Sequence, residues 1–217
     1  MTESQKTAFT ASDIDAMAQR YRANFINSLS GFKAAALLGT TDGTTDNLAV
    51  VSSVVHIGAN PPLLGMIMRP HTVERHSLQN IKDRKMYTLN QIAADITGKA
   101  HQTSARYPQN TSEFTATGLT AWYSADFAAP FVAESPLNIG LEVAEHLTLC
   151  NKTELVIGRI RQVHVNRAAI AGDGYLDLEQ LDIACISGLD SYHRTQRIAQ
   201  YAYAKPDEPV REKTPPE

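Results

Sequence analysis

The chain has 217 residues, 43% of them apolar, with 20 Lys and Arg against 23 Asp and Glu for a formal charge of −3. That length supports one generous domain or a core with extensions, and the slight acidity argues against a general nucleic-acid binder, which carries a basic excess. The N-terminus is polar and no apolar run approaches the ~20 residues a membrane helix needs, so the expectation is a soluble cytoplasmic protein that engages neither membrane nor nucleic acid.

Residues 1–11 are polar and read as a flexible N-terminus. Ser12 is a candidate N-cap with Asp15 closing a capping box, and Ile14, Met17, Ala18, Tyr21 and Phe25 recur at helical spacing. Gly31 offers a left-handed stop for that helix. Ala34–Thr40 reads as a strand, Asp42-Gly43 as a hairpin turn, and Ala49–Ile57 as the returning strand. Pro61-Pro62 donates no ladder hydrogen bonds and marks the passage into a further strand, Leu63–Met68.

The polar segment that follows carries Arg69, His71, Thr72, Arg75, His76 and Ser77, with a modest helical pattern over His71–Lys82 and a strand at Met86–Asn90. Strand, break, strand, basic and hydroxyl-rich turn, strand is a layout that can hold an anionic ligand at a sheet rim. A helix beginning in such a turn presents free N–H groups to an anion. Guanidinium and hydroxyl groups are the donors a phosphate needs.

Gly98–Pro108 loses apolar periodicity and reads as a long loop with one or two helical turns; its His101, Thr103, Ser104 and Arg106 point to function. Val132, Ile139, Leu141, Val143, Leu147 and Leu149 alternate as half-buried strands. Asn151-Lys152 turns the chain into Leu155–Val165, another alternating strand, and Asp173-Gly174 precedes a short one at Tyr175–Leu178. Thr195–Tyr201 reads as a short helix, and the Pro- and charge-rich residues 207–217 as a disordered tail. The expected domain is therefore 12–206.

Six or seven short strands with few helices indicate a mainly β, antiparallel barrel. No GxGxxG follows a strand, so a Rossmann cofactor site has no support. Cys150 and Cys185 read as reduced, buried thiols, and the seven histidines show no metal spacing. Trp122 and Tyr123 read as core or interface aromatics that could also stack on a ring.

The runs NFINSLSGFK from Asn24, NLAVVSSVVHIGANPPLLGMIMRP from Asn47, HQTSARYPQNTSEF from His101 and the tail YAYAKP ending at Pro206 resemble the flavin reductase-like, FMN-binding split-barrel family that includes flavoredoxin. The resemblance implies a six-stranded antiparallel split β-barrel with flanking helices. It also implies a homodimer with FMN in a groove between subunits. Val51, Ser52 and Ser53 would line the isoalloxazine edge, Arg69, Thr72 and Ser77 would hold the phosphate, and Asn90 and Gln91 would contribute from the next strand. The loop bearing His101, Thr103, Ser104 and Arg106 would close over the ribityl-phosphate end, and Lys205 would reach a neighbouring subunit's site. The activity implied is NAD(P)H:flavin reduction with NADH or NADPH as co-substrate, or a non-catalytic electron carrier serving an electron-accepting partner protein. No side chain is assigned an acid–base role. One departure stands out: related sequences carry a basic residue before the Phe matched by Phe114, and here it is Glu113.

Overall fold

The computed structural model describes residues 6–69, 76–108 and 110–213. The chain opens with helices α1 (Ala11–Ala16) and α2 (Gln19–Leu29). The cap lies earlier than the sequence suggests: Thr10 and Asp13 form the capping box, and an extended Met17 breaks the single expected helix in two. Gly31 takes the left-handed conformation expected of it, at φ 71°.

Strands β1 (Lys33–Ala34), β2 (Ala36–Thr41), β3 (Asp46–Val51), β4 (Val54–Ala59) and β5 (Pro62–Met68) follow. The expected strand Ala49–Ile57 is thus two strands, parted at Ser52-Ser53, and the double proline lies in the β4–β5 turn, with Pro62 paired to Ala59 at the strand's first residue. Then come α3 (His76–Arg84), β6 (Met86–Gln91), α4 (Thr97–Gln102), α5 (Glu113–Thr117), β7 (Ala121–Trp122), β8 (Phe131–Val132), β9 (Leu137–Thr148), β10 (Glu154–Val165), β11 (Ala184–Ser187) and β12 (Ser191–Arg194). Among the described residues no helix is long and apolar enough to cross a membrane.

Seven strands form one antiparallel sheet in the order β3-β2-β6-β9-β10-β5-β4. The six expected strands are therefore seven. The two outermost, β3 and β4, are consecutive in the chain and separated only by Ser52 and Ser53. A flat sheet of this size would set its edges about 29 Å apart, yet the step from Val51 to Val54 spans at most about 11 Å. The sheet must curl until its edges meet at that corner, while β3 and β4 do not pair with each other.

Alternation along β2 divides the core. Leu38 faces inward, with Met66, Tyr87, Leu89, Leu141 and Val156. Leu37 faces outward, into a second cluster with Leu48, Ile96, Ala100, Phe114 and Ile186 from the covering helices and the small sheet β1-β11-β12. A close approach at Gly158 admits the Tyr87 hydroxyl, which is buried with no hydrogen-bond partner among the described residues.

Four local expectations are corrected. Tyr175–Leu178 makes only an isolated bridge, Leu176 to Ile170, because Ala171–Tyr175 is a tight turn. Residues 195–200 have no regular structure. A strand unmarked in the sequence reading, Ala184–Ser187, pairs with both β1 and β12. Cys150 is exposed at the β9–β10 turn, and Cys185 is half-buried. In the tail, residues 200–213 double back, with Ala202 N donating to Arg211 O and Lys213 N to Gln200 O.

Candidate functional site at the sheet corner

The outward N–H groups of an edge strand fall on every second residue. Along β3 they belong to Leu48, Val50 and then Ser52. Leu48 N donates to Glu113 Oε2 at 2.9 Å, and Val50 N to Thr103 Oγ1 at 2.8 Å. The Ser52 N–H, next in the row, has no partner among the described residues. Two helices thus satisfy the edge and stop one donor short of the corner.

The corner gathers several elements. Gln91, Ala36 and Val51 lie side by side across β6, β2 and β3. From the other edge, Ile67 N donates to Ser53 O at 2.9 Å, carrying the β4–β5 ladder past the start of β4. Arg69 follows Met68, the last residue of β5 and one beyond Ile67. Lys33 opens β1, two residues before the buried run that leads into β2. Its Nζ donates to Asn27 O at 3.2 Å and Gly188 O at 2.9 Å. Burial lowers its pKa first, and the neighbouring Arg69 charge lowers it further. Lys33 thus lies within electrostatic reach of Arg69, and no carboxylate is paired to Arg69 among the described residues.

Ser52 and Ser53 are half-buried, and Ser77 is half-buried in the first described turn of α3. None of their hydroxyls has a protein partner among the described residues. Helix α3 is tied to the hairpin end of β2 and β3 by Asn80, whose Nδ2 donates to Asn47 Oδ1 at 3.0 Å and Thr40 Oγ1 at 3.3 Å. Cations, unengaged hydroxyls and a free N–H are the chemistry that an anion with polar acceptors attached would use.

Not every residue expected at the site faces the corner. Asn90 is fully buried; its Nδ2 donates to Leu37 O and Thr88 Oγ1, and its Oδ1 accepts from Val132 N and Asn138 Nδ2. Thr103 is also buried; besides taking Val50 N it donates to Ala100 O. Both side chains hold the frame around the corner. Because Thr103 pins the end of α4 to Val50, the exposed Ser104 and Arg106 leave the helix close to the site. His101 is exposed, with Nδ1 3.2 Å from Tyr192 Oη. Lys205 pairs with Glu208 at 2.7 Å in the tail, apart from the other candidates. Thr72, with His71 and Arg75, lies outside the described residues. Glu113 does not oppose an anion: it is spent on Leu48 N and Asn47 Nδ2.

Trp122 packs on Phe131 at 4.7 Å between centroids, edge-on to His164, and so belongs to the cluster beneath β7 and β8. Lys33 is the residue sequence reasoning missed. It is an unremarkable Lys in Gly31-Phe32-Lys33, and only tertiary placement sets it within electrostatic reach of Arg69.

Residues 29–178 match the Flavin reductase like domain. The chain belongs to that family. It is 49% identical to a split-barrel protein from Shewanella frigidimarina NCIMB 400 assigned as a flavin reductase, with a TM-score of 0.88 over 92% of this chain and 100% of that one. At 18% identity it shares its fold with nitrilotriacetate monooxygenase component B from Bacillus cereus, TM-score 0.78 over 88% of this chain and 98% of that one. The flavoredoxin of Desulfovibrio vulgaris (Miyazaki F) has the same fold at 20% identity, TM-score 0.67, over 82% and 92% of the two chains. No curated protein matches the chain.

Proposed function

We propose that the chain is an FMN-binding NAD(P)H:flavin reductase that works as a homodimer. The observation that supports this reading is the free Ser52 N–H at the corner, with the unengaged hydroxyls of Ser52 and Ser53 and with Arg69 following the strand that bonds to Ser53. An FMN phosphate carries close to two negative charges and suits such a cluster. The donor set fits the cofactor: cations and hydroxyls for the phosphate, and a free backbone N–H at Ser52 for a ring carbonyl. When bound, the flavin supplies the hydride-accepting ring. The chain's part is to bind, orient and exclude water. Arg69 holds the phosphate in a bidentate fork, and Ser53 and Ser77 add hydroxyl donors. The Ser52 N–H directs a partial positive charge at the ring edge where negative charge accumulates on reduction. No side chain needs to act as acid or base.

Dimerisation is supported by the outer face of β9, β10, β5 and β4. Residues directly opposite in register share a face. Leu147, Leu155 and Ile67 are so aligned, as are Ile157, Gly65 and Val55. Val55, Ile57, Leu147 and Leu149 are each more than a third exposed. An apolar sheet face of this kind marks a contact with another molecule, and a second copy laid there would wall the corner. Ser104, Arg106, His101 and Lys205 are then candidates for closing the groove.

A second reading, a flavoredoxin-like electron carrier, is favoured by the likeness to that fold and by a site without acid–base side chains. Both readings predict a yellow protein. Anaerobic and aerobic oxidation of NADH and NADPH with added FMN separates them. Turnover above background supports the reductase, and none leaves the carrier.

A further inference from the structure

A second concavity, of about 1070 Å³, opens at the far end of the β2–β3 hairpin. Asp46 and Val51 stand at opposite ends of β3, about 17 Å apart along the strand. The edge between them is closed. Asn47 and Leu48 are buried, and Glu113 of α5 and Thr103 at the end of α4 take Leu48 N and Val50 N. The cleft is therefore a site of its own and no extension of the corner. Its floor is apolar, from the buried Phe114 and Leu119.

Two opposite charges line this cleft, and neither is neutralised. Asp46 accepts the Tyr123 hydroxyl on Oδ1 at 2.6 Å, and no cation pairs with it among the described residues. Burial first and Asp46 next push the Tyr123 phenol up to about 12, so it is a neutral donor that leaves the carboxylate its charge. Tyr123 is 49% exposed, and its ring gives the cleft an open aromatic wall. Arg84, at the end of α3, crosses the turn at Gly43, whose φ of 97° and missing Cβ leave it room, and donates one N–H to Asp42 O. The Asp42 carboxyl, held low first by the Thr45 and Thr44 N–H groups, also senses Arg84, but its Oδ1 is already taken by those two donors. The rest of the guanidinium is unengaged, and it forms no ion pair with Asp46 or with any other carboxylate among the described residues.

A carboxylate without a cation and a guanidinium without an anion, held apart around one apolar floor, complement a ligand that carries both charges itself. A ligand with a single charge would cover one of them and leave the other desolvated and unpaired, which costs affinity. We propose that this cleft binds a zwitterion with an aromatic side chain, the chemistry of a free aromatic α-amino acid or of a dipeptide ending in one. Arg84 forks the carboxylate, Asp46 takes the ammonium, and the side chain lies against the Tyr123 ring over Phe114 and Leu119. A cleft of this size admits either source. The site is independent of the corner: it stands whether the chain is a reductase or an electron carrier.

The test is titration of the full chain, with and without FMN, with L-phenylalanine and with the dipeptide Leu-Phe, followed by calorimetry and ligand-observed NMR. Saturable binding of at least one is expected, equal with and without FMN; the tighter of the two identifies the source. Taking L-phenylalanine as the reference, 3-phenylpropionate, which lacks the ammonium, and phenethylamine, which lacks the carboxylate, should each bind about tenfold more weakly, as loss of a charge-assisted contact does. Arg84→Leu should weaken the zwitterion about tenfold and leave phenethylamine unchanged, and Asp46→Asn should weaken it and leave 3-phenylpropionate unchanged. If Arg84→Leu fails to fold, Arg84→Lys, which keeps the charge and loses the fork, serves in its place. No saturable binding of either zwitterion to the wild type overturns the proposal. So does binding that the folded variants leave unchanged, binding no tighter than that of the singly charged analogues, or binding that FMN displaces. Absence of NAD(P)H oxidation bears on the reductase reading alone.

Discussion

On the β2–β3 side of the sheet, helices α4 and α5 cover the outer surface while α3 packs against the inner one, and Glu113 and Thr103 take up the edge N–H groups in turn. On the β10–β5–β4 side, no helix covers the outer surface among the described residues, and aliphatic side chains face solvent across four strands. The first side is completed within one chain. The second is sheet built to interior standards and left bare, and the corner where the two sides meet is the place left with unengaged donors. The proposed assembly and the proposed ligand site both fall on the unfinished half.

That contrast can be broken most severely from the bare side. Leu155→Asp, at the centre of the aligned Leu147–Leu155–Ile67 row, should convert the proposed dimer to a 23.7 kDa monomer and abolish tight FMN binding, as read by light scattering and fluorescence titration. A Gly158→Ala substitution probes the interior that both halves share. Its methyl would collide with the Tyr87 hydroxyl and should cost about 1–3 kcal/mol of stability by denaturant unfolding. Adding Tyr87→Phe, which removes this buried hydroxyl, should recover most of that loss. At the corner, Arg69→Ala should weaken FMN binding by roughly 1–3 kcal/mol while leaving riboflavin nearly unaffected. Unchanged FMN affinity would remove Arg69 from the site.

The smallest effect is expected from Glu154, at the start of β10. Burial opposes its ionisation, but the Thr148 hydroxyl, Lys82 and His146 outweigh it and hold the carboxyl below its ordinary value. A depressed folded-state pKa gives stability that is present above the unfolded value and is lost as pH falls through the folded one. Glu154→Gln should therefore lower stability near neutrality by about 1 kcal/mol and flatten the acid limb of the stability curve.

Local chemistry was legible where one residue type decides the geometry. Asp42-Gly43 marked its turn, with Asp42 Oδ1 accepting from Thr44 N and Thr45 N, and Gly31 marked the end of α2. The break at Ser52-Ser53 was not legible. Ala49–Ile57 is uniformly β-forming, and nothing local says that its first half closes one edge of a sheet and its second half opens the other. Ala184–Ser187 escaped notice because its pairing with β1 spans most of the chain. The residues expected at the site differ in how far they are already engaged within the chain. Asn90 and Thr103 carry the polar chemistry a cofactor would use, but burial commits it to the frame. Lys33 gained its significance only from Arg69, distant in sequence.

The central claim is that the corner recognises FMN through its phosphate. Paired titrations of the apoprotein with FMN and with riboflavin, followed by quenching of flavin fluorescence, test it most directly. The structure predicts saturable FMN binding at least tenfold tighter than riboflavin, a difference that shrinks with added salt. Equal affinity for the two, or no binding of either, would contradict it.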